Sequence, residues 1–402
     1  MNASSRLRII VLGYIVRGPL GGLAWHHLQY VLGLERLGHD VYFLEDSDDY
    51  PACYDPSQDV VGSDPTYGVA FAADVFGRLG LGSRWAYYDA HANQWYGAAV
   101  ERTRRACETA DLVINLSGVN PLREWVEGAP ARAFVDTDPA FTQIRHLTDE
   151  RARHLAEQHT VFFTFGENIP SGRSGVPDDG FPWRSTRQPI VLDAWPFTTG
   201  QASARYTTVM QWDSYPPREY AGRQFGMKSM SFNEFMNLPR CTNSTLELAL
   251  GSAGAPRDLL TETGWQVRDP LELTKTPWTY QDYIQGSKAE FSVAKHGYVA
   301  SRSGWFSERS AAYLASGRPV LVQDTGFTDW LHVDGGVVPF SSFDEALDGM
   351  RAIDADYSRQ CHLARDVAAE YFEAKVVLSQ LLQACLHSAE PARSGDTDRV
   401  FY

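Results

Sequence analysis

A chain of 402 residues is longer than one ordinary core and predicts two domains of roughly 150 to 200 residues. Apolar residues make up 44% and charged residues 21%, which excludes a disordered chain and predicts substantial buried cores. With 36 basic against 50 acidic side chains the formal charge is −14; it repels phosphate backbones and anionic lipid, so neither nucleic acid nor membrane is an expected partner.

Along the chain, "RLRIIVLGYIV" reads as a buried strand, and "LAWHHLQYVLGLERLGHDVYFLED" as a helix, a stop at Gly38 and a second strand ending in acids. The loop between them carries Gly18, Gly21 and Gly22 without the GxGxxG dinucleotide fingerprint, which disfavours hydride transfer; Glu45 and Asp46 are weak compensation. His26 and His27 open that helix. Helical spacing puts His27 among Tyr30, Val31 and Leu34, a core position, and turns His26 toward Gln29, Tyr30 and Gly33, where it can look into a cleft. "ADLVINLSG", "ARAFVDTDPAF" and "HTVFFTFGENI" add three strands. Their ends carry Asp136 and Asp138, then Glu167 and Asn168, each able to orient a hydroxyl, act as base, or cap the next helix.

A stretch rich in proline, glycine and small polar residues, 189–205, marks the domain boundary, and the pattern begins again with the strands "YTTVMQW" and "STLELALG". Lys228 follows, one of only five lysines, able to neutralise a diphosphate or to sit in a solvated loop. "WTYQDYIQGSKAEF" supplies Tyr280 and Tyr283, aromatic groups able to stack on a base or to pack in a core. In "SGWFSERSAAYLASGRPVLVQDTGF", Ser307 reads as an N-cap, residues 308–316 as a helix, Gly317 as its C-cap and Pro319 as the stop before a core strand. Free amides at that helix start, with Arg309, suit a diphosphate; Glu308 either accepts from vicinal ribose hydroxyls or only complements the helix dipole. Asp324, Thr325 and Gly326 in the following loop either meet sugar and phosphate or form an ordinary turn. Helical periodicity then runs from about 354 to 387.

This block resembles the donor-binding half of GT-B glycosyltransferases, particularly the retaining glycosyltransferase 4 type (group 1), and bacterial proteins carrying a "GWFSxRSxxYLASGRPVLxQDTGF" block. The resemblance implies an α/β, GT-B fold of two Rossmann-like domains facing across a cleft. Residues 1–197 would form an acceptor domain and 198–375 a nucleotide-sugar donor domain. Residues 376–388 would be a helix crossing back, and 389–402 a mobile tail. It further implies transfer of a sugar from a nucleotide diphosphate sugar to an acceptor such as a soluble specialised metabolite. Gly21 and Gly22 would approach the donor, and His26, Asp138 or Glu167 would serve as catalytic base. The family's glutamate five residues before the helix-ending glycine is Ala312 here, so Glu308, one turn earlier on the same face, substitutes for it.

The second half carries no DxD near a strand end, and the chain has no histidine-carboxylate cluster, so neither metal nor other cofactor is expected beyond the co-substrate. Cys53, Cys107, Cys241, Cys361 and Cys385 form no CxxC pair and read as reduced thiols. Together with the lack of a signal-peptide pattern or of about 18 consecutive apolar residues, this predicts a cytoplasmic protein, possible as a homodimer. Two other readings fit the same fold: a nucleotide-sugar epimerase, and a binding subunit without turnover.

Overall fold

A computed structural model describes residues 6–48 and 52–389. The tail expected over 389–402 lies, apart from Ala389, outside the described residues. The first lobe is built on eight strands: β1 (Arg8–Leu12), β2 (Asp40–Asp46), β3 (Trp85–Asp89), β4 (Gln94–Tyr96), β5 (Leu112–Leu116), β6 (Ala131–Asp136), β7 (Val161–Thr164) and β8 (Trp183–Ser185). They lie in the order β8-β7-β6-β5-β1-β2-β3-β4, parallel except for the antiparallel β3–β4 edge. Ile9, Ile10 and Val11 are all buried, as a strand covered by helices on both faces requires, so β1 shows an apolar run instead of alternation.

The second lobe repeats the plan with β9 (Tyr206–Gln211), β10 (Leu246–Gly251), β11 (Gln266–Arg268), β12 (Ala289–Ser292), β13 (Val320–Gln323) and β14 (Val337–Phe340), in the order β11-β10-β9-β12-β13-β14. In each sheet the chain winds outward to one side, returns, and winds to the other. Strand order therefore reverses between β1 and β5 and between β9 and β12, and the loops leaving these strands diverge to leave a crevice.

Four helices carry the rest of the argument: α1 (Gly21–Arg36), α2 (Pro277–Gln285), α3 (Glu308–Ala315) and α4 (Ala374–Ala389). Gly38, at φ +89°, follows the end of α1. α4 packs along α1, where a Cβ on Gly33 would lie 2.5 Å from Leu378 Cδ1 and 3.0 Å from Ala374 Cβ; the chain that began the first lobe thus meets the segment that ends the second. The lobes also share one continuous apolar core, in which Trp25 and Trp195 of the first half meet Tyr280, Phe306 and Ala312 of the second. Gly21 and Gly22 permit this approach. A Cβ on Gly21 would sit 2.1 Å from Thr276 O and one on Gly22 3.2 Å from the Tyr280 ring, while Trp25 Nε1 donates to Pro277 O at 2.8 Å.

Candidate active site between the lobes

The loop entering α3 is shaped by the facing lobe. Gly304 and Gly326 both have positive φ, +77° and +88°, and a Cβ on either would come within 3 Å of Asn168. Asn168 is buried at the end of the loop after β7, and its side-chain amide donates to Arg302 O, Gly326 O and Asp329 Oδ2 at 2.9–3.1 Å. Ser307 then caps α3, its hydroxyl accepting from the Arg309 N–H at 3.2 Å. This leaves the first-turn amides and the positive end of the helix dipole at the junction of the lobes.

Glu308 projects from that turn, exposed, with no hydrogen bond or ion pair to its carboxylate among the described residues. Arg309 beside it has a different position: its guanidinium is buried and fully engaged, with Glu290 at 2.6 Å, Val209 O at 2.8 Å and Ser292 Oγ at 2.7 Å. Burial opposes its charge, yet Glu290 holds its pKa above the ordinary value. The expected diphosphate contact of Arg309 is thus displaced by an internal ion pair, because each of its three guanidinium nitrogens already donates within the second lobe. Lys228 is the cation left available. It is half-buried, its ammonium has no ion pair or hydrogen bond among the described residues, and burial, with Arg309 and Lys295 nearby, lowers its pKa to about 7.

Across the junction, both histidines behave as their helical faces predict. His27 is fully buried and satisfied, Nδ1 against Leu23 O at 2.7 Å and Nε2 accepting from the Tyr14 N–H at 3.2 Å. His26 is 9% exposed, its Nε2 has no partner, and it lines a small, partly open cavity of about 20 Å³ with Gln29, Gln188, Trp195, Tyr280 and Glu308. The Trp195 Nε1 also lacks a partner, and the space suffices for one water. Burial lowers the His26 pKa below the usual imidazole value, with Glu308 opposing, so the ring is neutral near pH 7 and able to accept a proton.

The other expected site residues divide clearly. Asp138 reaches the junction, but it is held there by the second lobe: Lys295 Nζ donates to it at 2.8 Å, and the hydroxyls of Tyr215 and Tyr298 donate to it as well. Lys295 also donates to the Tyr215 hydroxyl at 2.8 Å and faces the rings of Tyr215 and Phe141 at 4.5 and 5.0 Å. A carboxylate with three donors serves as a clasp, its oxygens already engaged. Glu167 turns away to pair with Arg187 at 2.5 Å. Tyr283 donates to Glu247 Oε1 at 3.0 Å and does not line the cavity; Tyr280, one turn earlier, is the aromatic residue of α2 that reaches it. Asp324 and Thr325 fold the 323–327 loop on itself, Asp324 accepting from the Gly326 N–H at 2.8 Å and from Thr328 Oγ1 at 3.0 Å, and Thr325 donating to Trp305 O.

Sequence reasoning passed over Lys295, Tyr215, Tyr298 and Tyr14. The available signal was position: each follows a strand that borders a switch point, Tyr14 after β1, Tyr215 after β9, Lys295 and Tyr298 after β12. Glu45, the weak compensation for the missing glycine fingerprint, instead clamps the loop after β1, accepting from the N–H groups of Val16 and Arg17 at 2.6 and 2.7 Å. Among the described residues no group of three or more His, Cys, Asp and Glu side chains is placed to hold a metal ion, and no helix is long and apolar enough to cross a membrane.

No protein-family model and no curated protein matches this chain in sequence. Solved structures do match it along its length. An alpha-glucosyltransferase in complex with UDP and a 13-mer DNA containing a HMU base aligns over 95% of this chain and 100% of its own at a TM-score of 0.58 and 9% identity. AviGT4, a glycosyltransferase involved in avilamycin A biosynthesis, aligns over 96% and 99% at 0.54 and 14% identity. Anabaena HepE in complex with UDP and glucose aligns over 94% and 99% at 0.53 and 10% identity. The first of these corrects the expectation that nucleic acid is excluded as a partner: a protein of this architecture is found with DNA, and net charge is a whole-molecule sum that does not determine the sign of a local surface. Two parallel sheets with opposed switch points, matched over nearly the whole chain by glycosyltransferases of this architecture, identify the fold as GT-B.

Proposed function

We propose that this protein transfers a glycosyl group from a nucleotide diphosphate sugar to a hydroxyl of a small acceptor. The observation that carries the reading is the position around the start of α3 of two groups with no partner among the described residues, the exposed Glu308 carboxylate and the Lys228 amine within electrostatic reach of it, with His26 lining the same cavity as Glu308. Glu308 accepts from the ribose hydroxyls, while Lys228 and the α3 amides hold the diphosphate. In the transfer, the acceptor oxygen bonds to the anomeric carbon as the bond from that carbon to the phosphate oxygen breaks. The nucleoside diphosphate leaves with the electron pair, and the acceptor proton passes to a base. His26 is the better base than Asp138 or Glu167, since both carboxylates already receive charged donors. Charge building on the leaving diphosphate meets Lys228 and the helix dipole, so the reading needs no metal.

The cavity beside His26, about 20 Å³, does not admit a sugar ring, so the reacting centre reaches His26 only when the lobes part and close again around the donor, excluding water from the oxocarbenium-like centre. UDP in the similar solved structures supports a nucleotide diphosphate as the group held, and AviGT4 supports a natural-product acceptor. The test is a thermal-shift and calorimetric screen against UDP, dTDP, GDP and ADP, each with magnesium and with EDTA, with NAD as control. A shift with one nucleotide that survives EDTA is expected; stabilisation by NAD alone, or by none, refutes the reading.

A further inference from the structure

We propose that Asn168 and Gln188, two amide side chains of the first lobe, are positioning residues for the nucleotide. They fix the strap 301–306 that leads into α3, so the anion site at the helix start is complete only while the lobes are closed. The ligand assigned to that site rests on the transferase reading; the brace itself does not. The strap does little to set its own shape. Arg302 and Gly304 both have positive φ, +47° and +77°, and a left-handed arginine persists only where its surroundings impose it. Those surroundings are largely the first lobe. Ser301 O accepts from the Gly175 N–H at 2.7 Å and from Ser174 Oγ at 3.1 Å, and Arg302 O from the Asn168 side chain at 3.1 Å. Ser303 O accepts from the Asn168 backbone N–H at 3.1 Å, and Phe306 O from the Gln188 amide. Gly304 O and Trp305 O, by contrast, are held within the second lobe, by Trp330 Nε1 at 2.9 Å and by Thr325 Oγ1. Ser307, the cap of α3, follows directly.

Both amides are buried, so neither is a casual surface contact. Asn168 reaches furthest. Its nitrogen donates to Gly326 O and Asp329 Oδ2 as well as to Arg302 O, tying the strap to the 324–329 loop, and a reversed amide would set oxygen against all three acceptors. Gln188 also lines the cavity beside His26, so the side chain that holds the residue before the α3 cap borders the base as well. When the lobes part, these bonds are lost together. The strap carbonyls turn to water, Arg302 is released from its left-handed conformation, and the first-turn amides of α3 lose their fixed approach. A nucleotide that uses those amides therefore binds the closed protein more tightly than the open one and draws the lobes together.

Two measurements on the full chain separate the brace from the ligand. Asn168→Asp keeps the size of the side chain but sets a carboxylate against three oxygen acceptors; Gln188→Met removes a donor and is the milder variant should the first fail to fold. Hydrogen exchange of residues 301–309 in the free protein should quicken about tenfold in Asn168→Asp and about threefold in Gln188→Met, with β12 and β13 unchanged. UDP affinity in calorimetry should fall about tenfold in Asn168→Asp and about threefold in Gln188→Met. The Asn168→Asp deficit relative to the unaltered protein should shrink about threefold from about pH 8 to about pH 5.5, because the introduced carboxyl, facing Asp329 and two carbonyls, takes up a proton and donates again. A loss of packing alone would show no such recovery. Unchanged exchange at 301–309 in both variants, or faster exchange with UDP affinity unchanged, overturns the proposal. Faster exchange in a protein that no nucleotide of the screen stabilises supports the brace and overturns its role for a nucleotide.

Discussion

Lys228 makes the donor site testable through protons. In the free protein its pKa is lowered to about 7, chiefly by burial and then by Arg309 and Lys295, with Glu290 and Glu308 opposing. A diphosphate placed against it stabilises the charged form and returns the pKa toward the ordinary lysine range. Binding at pH 8 must then take up about 0.9 proton and at pH 6 only about 0.1, and above pH 7 affinity should fall by up to about tenfold per pH unit. The same shift acts on folding. Because the folded pKa lies below the unfolded value of about 10.4, the unfolded chain holds more protons between those limits, so stability contributed through Lys228 rises from pH 7 to about 10 and is lost as pH falls.

The assay is titration calorimetry with UDP-glucose, or with the sugar of whichever nucleotide the screen selects, in two buffers of different ionisation enthalpy at each pH. A nucleotide sugar is preferable to the free diphosphate because its phosphodiester oxygens do not titrate in this range. Lys228→Met should abolish the uptake, weaken donor binding at pH 6 by about 10- to 100-fold, the worth of a hydrogen bond to a charged group, and flatten the rise in stability between pH 7 and 10. Uptake near zero at pH 8, or the same uptake in Lys228→Met, would refute the placement of the diphosphate at Lys228.

Three further outcomes test the junction. Glu308→Gln should weaken nucleotide binding about tenfold while leaving the melting temperature within about 2 °C, since the carboxylate is exposed and unpaired; unchanged affinity in calorimetry removes its ribose role. His26→Gln should reduce turnover about 100-fold or more with donor affinity retained, and near-normal turnover would return His26 to a packing role. Lys295→Met leaves Asp138 without its ammonium partner and should cost about 1–3 kcal/mol, the range for a partly exposed pair. It should also enlarge the radius of gyration of the free protein in X-ray scattering; an unchanged radius would show that other contacts alone keep the lobes closed.

Much of this was legible in local pattern. Alternating strands and helices, the N-cap at Ser307, the positive-φ glycine at Gly317 and the separation of His27 from His26 follow from periodicity and short-range chemistry, which need no distant partner. The sequence by itself therefore determined two α/β units and pointed to the start of α3. Only the tertiary structure decided which charges are free. Arg309 and Lys228 are both cations with one chemistry on paper; Glu290, nineteen residues before Arg309, engages the first, and no described side chain engages the second. Asp138 and Glu167 likewise differ by partners 157 and 20 residues away, Lys295 across the junction and Arg187 within the same lobe. A side chain's availability depends on which opposite charges the fold brings within hydrogen-bond reach, and sequence spacing does not encode that distance.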